Sequence, residues 1–216
     1  MAYYLEEQEK LDAIKAWWSR YGTLALSVAT VVVLAAAGWS GWRAYNGYRA
    51  SQAMGYFEAL EDAARGVNGP GGADATKRIT AAADTLRTDY AGTAFAARGV
   101  LIAAQALADQ KDADGARRQL EWLVGRKDQP ALQPVARLRL AGLLLDQKQY
   151  DQALAQLADP PAAFAALYAD RRGDILAAQG KRDDARAAWQ SALSTMPAGD
   201  PLMQIVQLKL DALSGA

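Results

Sequence analysis

Two carboxylates stand side by side at Asp183 and Asp184, and glycines gather at Gly69, Gly71 and Gly72. These residues are the ones whose types and spacing could do chemistry. Adjacent carboxylates can serve acid-base work or hold a divalent cation, and a glycine-rich loop can cradle phosphate. Neither reading carries through. No Lys-Ser or Lys-Thr pair follows the glycines and no hydrophobic strand precedes them, so the phosphate-loop pattern is incomplete. The two aspartates fall in a polar turn at the start of an amphipathic stretch, where an acidic side chain caps a helix and favours its positive end. The chain has no His and no Cys, which removes Ser-His-Asp and Cys-His nucleophiles and ordinary zinc sites. Trp122 and Trp189 could be stacking platforms for a ligand, but both fall at helical spacing among Leu and Ala, as core residues do. The reading is a protein that is not an enzyme and needs no cofactor or metal.

The elements that position these residues divide the chain sharply. Tyr21 to Trp42 is an uncharged run of 22 residues in a chain that is 22% charged. At about 1.5 Å of rise per residue, some 20 apolar residues cross the roughly 30 Å of a bilayer's hydrocarbon. A soluble core helix would carry a polar stripe, whereas Thr23, Ser27, Thr30 and Ser40 can return their hydroxyls to the helix backbone. A cleaved signal peptide is the rival reading, because Ala35-Ala36-Ala37 offers a small-x-small pattern. Against cleavage stand the long leading segment with Glu6, Glu7, Glu9 and Asp12, and the aromatic residues at both ends: Trp17, Trp18 and Tyr21 before the run, Trp39, Trp42, Tyr45 and Tyr48 after it. Such rings favour the two membrane interfaces. The expected organisation is a cytoplasmic tail over residues 1–20, a transmembrane helix over 21–42 and an exported domain over 43–216. The orientation follows from Lys10, Lys15 and Arg20 on one side against Arg43 and Arg49 on the other. Ala37, Gly38 and Gly41 gather small residues in the outer half of the anchor, where they would permit close helix packing in lipid.

Twenty-four basic residues balance 24 acidic ones, so no net field recruits nucleic acid. Strand signals are poor, and the part beyond the anchor reads as all-α. It also repeats. Ala104, Leu107, Ala116 and Leu120 recur as Ala141, Leu144, Ala153 and Leu157, and again as Gly173, Leu176, Ala185 and Trp189, at spacings of 37 and 32 residues. Polar turns fall between the second and third members of each set, with Asp114, Asp151 and Asp183 placed to cap the following helices. The pattern predicts three stacked helical hairpins. A further hairpin around the 68–74 loop would cap one end, its first helix continuing the anchor outward. A terminal helix over 202–213 would cap the other.

The third unit resembles the tetratricopeptide repeat through Gly173, Leu176, Gly180, Ala185, Trp189, Ala192 and Pro197. The first two are degenerate, with Lys111 and Lys148 in place of the turn glycine. In such arrays the first helix of each hairpin lines the binding face, which nominates Leu101, Gln105, Leu138, Leu145, Asp170 and Asp174 as partner-binding positions. A groove mixing Leu with acidic side chains would take an amphipathic or partly unfolded segment, unless the terminal helix fills it. The order of parts, with "RGDILAAQGKRDDARAAW" over 172–189 and "LRLAGLLLDQKQYDQAL" over 138–154, resembles the YfgM family of ancillary SecYEG translocon subunits. The resemblance implies an inner-membrane protein with a periplasmic domain and no enzymatic activity. It would act in the hand-over of newly exported chains to periplasmic chaperones, with the translocon and a membrane-anchored chaperone resembling PpiD as partners. The competing reading is an envelope-organising scaffold built on similar repeats.

Overall fold

The computed structural model describes residues 2–67 and 69–214, and the surroundings of side chains from residue 10 onward, Ala13 and Ser214 apart. The acidic side chains at Glu6, Glu7 and Glu9 lie outside that range. Among the described residues nine α-helices follow one another: α1 (Ala2–Arg65), α2 (Gly72–Asp89), α3 (Ala94–Asp109), α4 (Ala113–Val124), α5 (Gln133–Asp146), α6 (Tyr150–Ala155), α7 (Ala165–Ala178), α8 (Arg182–Thr195) and α9 (Leu202–Ser214), with a 3₁₀ turn at Ala162–Phe164. No strand occurs among the described residues. The chain divides into two compact units, Met1–Ser51 and Gln52–Ala216.

In the first unit the apolar run is helical throughout and its large side chains, among them Leu24, Val31, Val33 and Leu34, are exposed. Its length and composition suffice to cross a membrane. The Ser27 hydroxyl donates to the Thr23 carbonyl and that of Thr30 to Leu26, both at 2.8 Å, so the polar groups inside the run are satisfied by their own helix. Trp17 lies within ring-contact distance of Trp18 and Tyr21, and Trp39 of Trp42.

In the second unit successive helices pack on their neighbours from α2 through α5, α5 also meets α7, and α7 and α8 form the most extensive pair before α9 closes the end. The repeat seen in the sequence is the packing code. Every small, Leu and Ala position it names, from Ala104 to Trp189, is buried. Three apolar clusters result. The first joins Phe57 and Leu60 to Ile79 and Leu86, the second centres on Leu123, Leu140, Leu144 and Tyr168, and the third gathers Leu176, Trp189, Val206 and Leu210.

The three hairpin turns share one backbone solution. Lys111, Lys148 and Gly180 have φ of 64°, 59° and 78°. In each case the amide of the positive-φ residue donates three residues back, to Ala108, Leu145 or Ala177, and the next amide donates five back, to Leu107, Leu144 or Leu176, at 2.8–2.9 Å. This is the left-handed helix cap that usually selects glycine. The lysines therefore occupy the same turn as the glycine they replace.

The cap at the other side of the turn differs from the sequence expectation. Asp112, not Asp114, accepts from the Gly115 amide at 2.9 Å, and the equivalent Gln149 and Lys181 provide no side-chain cap. Asp114, Asp151 and Asp183 sit two residues further in, among the first-turn residues. There they still favour the positive end of the helix dipole.

Candidate partner-binding surface

The first helices of the hairpins, α3, α5 and α7, meet around a cleft of about 270 Å³ that Gln105, Leu138, Arg139, Gly142, Asp146 and Arg171 help to line. Gln105 is exposed and donates to Asp109 at 2.8 Å, one helical turn on. Leu138 is half-buried, its inner side against the central cluster. Arg139 spans the groove to the Leu101 carbonyl at 2.9 Å. Arg171 crosses Gly142, whose missing side chain leaves room: a β-carbon there would lie 3.6 Å from the guanidinium. The walls thus combine aliphatic surface with two guanidinium groups and the Asp146 carboxylate, a lining suited to a peptide with apolar and charged side chains.

The other nominated positions lie elsewhere. Leu101 is 7% exposed and belongs to the central cluster, because α3 is apolar on nearly all sides and buries most of its length. Leu145 is half-buried against the same cluster. Asp170 and Asp174 come together around Lys209 of α9, with ion pairs of 2.6 and 2.7 Å, and Asp174 also pairs with Arg171 of the cleft at 3.7 Å. Lys209 also stands 5.8 Å from the ring centre of Trp189, and the indole N–H donates to the Asp170 carbonyl and the Asp174 carboxylate at 3.2 and 3.3 Å. The terminal helix therefore occupies the α7 end of this face while the α3–α5 end stays open. Periodicity had no means of naming Lys209 as the partner. A signal was nonetheless present, since Lys209 is the lone cation beside the buried stripe of Val206 and Leu210, and such a position requires an anion.

Two links hold the hairpins in register around the cleft. Arg117 of α4 donates to Glu121 at 2.7 Å and to Gln149 and Gln152 of the next hairpin at 3.1 Å. The Tyr168 hydroxyl donates to the Pro134 carbonyl at 3.2 Å, and burial pushes this phenol above its ordinary pKa against the opposing charge of Arg137. In the first unit Ala37, Gly38 and Gly41 are exposed, and a β-carbon added at either glycine would meet nothing within 4 Å. Among the described residues no group of three or more carboxylates could hold a metal ion.

The fold defines a class: a helical-repeat domain in a chain that also carries one long apolar helix. A family model described as a tetratricopeptide repeat-like domain matches residues 15–215. Over 214 residues, 99% of this chain and 100% of the relative, the sequence is 34% identical to the "Ancillary SecYEG translocon subunit" of Neisseria gonorrhoeae. Over 217 residues, again 99% and 100%, it is 28% identical to the protein of the same name in Escherichia coli K12. The chain belongs to this tetratricopeptide repeat-like family of ancillary SecYEG translocon subunits. Membership and the apolar run fit a single-pass inner-membrane protein, and the repeat fold fits an adaptor rather than an enzyme.

Proposed function

We propose that the chain is a non-enzymatic adaptor that associates with the SecYEG translocon and helps pass newly exported proteins to periplasmic chaperones, with residues 1–20 cytoplasmic and 43–216 periplasmic. The observation that carries the reading is similarity along essentially the whole chain to proteins named for that translocon. The anchor places the repeat domain beside the channel, and Ala37, Gly38 and Gly41 give it a face on which another transmembrane helix can pack closely. The cleft marked by Gln105 and Leu138 receives an apolar and charged segment, from a membrane-anchored chaperone resembling PpiD or from an unfolded exported chain. Leu145 supports the cleft wall from behind. Asp170 and Asp174 take part when α9 yields its place.

The test is photo-crosslinking in intact membranes from a probe at Gln105, with a second probe at Gly38, followed by immunodetection of SecY and of the chaperone. The expected result is a SecY adduct from Gly38 and a chaperone or nascent-chain adduct from Gln105, the latter lost on changing Leu138 and Leu145 together to Ser. Absence of both adducts from a stably inserted protein overturns the reading.

A further inference from the structure

The second hairpin is cut short. Its second helix, α6, has 6 residues, where α4 has 12 and α8 has 14. Pro160 and Pro161 explain the truncation. In register with the first hairpin they stand where Leu123 and Val124 continue α4, and proline there lacks the amide that a continuing helix needs and clashes with the preceding turn. The chain leaves the helical path after Leu157, and a cleft of about 600 Å³ opens between the end of α6, α7 and α8. Its floor is built from small residues, Ala169 of α7 and Ala188 of α8, with Tyr168 and Leu176 beneath. This side of α7 lies opposite the one that carries Asp170 and Asp174, so the cleft is separate from the face described above.

We infer that this cleft is a docking site for a short amphipathic helix of a partner protein, one that lays small or aliphatic residues on the alanine floor and a carboxylate against Arg172. Two observations select that occupant. In the first hairpin the corresponding place is filled by a helix, the second half of α4, which continues past Leu120, the counterpart of the buried Leu157, and adds Leu123 to the core. The position that this half-helix helps to bury also differs in kind: Leu140 of α5 is 2% exposed, and its equivalent on α7 is Arg172, exposed at the cleft wall. Asp184 lines the opposite wall. Among the described residues neither Arg172 nor Asp184 has a hydrogen-bond or ion-pair partner. Asp184 corresponds in the second hairpin to Gln152, which is exposed, so it stands at the rim. A helix contributed from outside would meet the uncompensated Arg172 where the internal one meets leucine, and charge complementarity at that position assigns it an acidic residue.

The probe is a fluorescent, side-chain-stapled helix of about 12 residues with an Ala/Leu face and one central Glu, stapled because free helices of that length are marginal in water. A twin carries Lys for Glu. Anisotropy is read on the full chain in nanodiscs, with protein-free nanodiscs as the control for binding to lipid. The Glu peptide is expected to bind saturably and to lose at least about tenfold in affinity with Ala188→Trp, which fills the cleft. Arg172→Glu should reverse the preference between the two peptides, and Leu138→Ser should leave both affinities unchanged. Arg172 is exposed, so its exchange reads the site even if Ala188→Trp disturbs folding. Equal binding of the twins, indifference to both cleft variants, or equal binding to protein-free nanodiscs overturns the proposal. So does self-association that Ala188→Trp abolishes and the peptide does not compete with, since the occupant is then a second copy. None of these outcomes bears on the translocon crosslinks, which probe the other face and the anchor.

Discussion

Trp189 of α8 packs its indole directly on Gly173 of α7: a β-carbon built on the glycine would come within 2.5 Å of the indole Cδ1 and 2.8 Å of Cε2. The same ring is held by N–H bonds to the Asp170 carbonyl and the Asp174 carboxylate, so it has no direction in which to retreat. Gly173→Ala is expected to destabilise the repeat domain by about 1–3 kcal/mol, the usual range for overpacking a filled core. Trp189→Leu introduced with it should recover part of that loss. Thermal unfolding followed by circular dichroism measures both, and an unchanged midpoint in the single variant contradicts the packing described.

Lys148→Gly should stabilise the protein. A side chain at φ of 59° costs about 1–2 kcal/mol in the left-handed region, of which glycine returns about 0.5–1 as unfolded-state entropy, leaving a net gain of a few tenths to about 1 kcal/mol. Gly180→Lys, in the equivalent turn, should lose a similar amount. Nothing within 4 Å obstructs a β-carbon at Gly180, so the effect reads backbone conformation alone. Urea midpoints with unchanged slopes decide it.

Lys209→Met should loosen α9 without unfolding the earlier hairpins. It removes a cation shared by two carboxylates that are each about four-fifths shielded, and charge-assisted contacts of this kind contribute about 1.5–3 kcal/mol. Limited proteolysis should then cut near Gly199 and Asp200 faster, and neutralising Asp170 and Asp174 as well should restore part of the protection.

The Arg126 guanidinium donates to Asp128 at 2.6 Å and holds its carboxyl below the ordinary aspartate value, chiefly through that bond. The folded state therefore binds this proton less readily than the unfolded chain. Its contribution is complete above the ordinary aspartate pKa and is lost as pH falls through the lower folded value. Asp128 is about half exposed, so solvent screening keeps the contribution at or below about 1 kcal/mol. Asp128→Asn should cost that much at neutral pH and nothing once the carboxyl is protonated, which a pair of urea titrations at neutral and strongly acidic pH will show.

Alkaline phosphatase fused after Ala216 should be active if the repeat domain faces the periplasm. An inactive fusion, with activity from a cytoplasmic reporter at the same place, reverses the orientation.

The repeat register was legible because Ala104, Ala141 and Gly173 must be small wherever two helices cross, and burial at every paired position bears that register out. The caps were displaced because in all three units the helix N-cap falls on the residue directly after the left-handed one, at Asp112, Gln149 and Lys181, which leaves Asp114, Asp151 and Asp183 inside the first turn. The α7 aspartates illustrate a different limit. Their spacing locates a face, but their partner is Lys209, brought there by a tertiary contact that no local period encodes. Leu101 shows the same limit from the other direction, since a helix that is apolar on nearly all sides offers no stripe from which to tell groove from core. The second cleft is announced only by the pair Pro160-Pro161, and that signal acquires meaning once the neighbouring hairpins fix how long the helix would have been.

The apolar interior is divided among three clusters, and α7 belongs to two of them: Tyr168 and Ile175 face the central cluster while Leu176 faces the terminal one. In a stack where each element touches only its neighbours, stability is a sum of local terms, and segments open in contiguous pieces. The terminal piece depends on a few contacts around Trp189, Val206 and Leu210, so amide exchange should grade along the chain, fastest in α9 and slowest in α3 and α5. Opening at that end frees Asp170 and Asp174 while the hairpins around Leu140 and Leu144 stay folded, which makes the reach of the proposed binding face a matter of how often α9 is away.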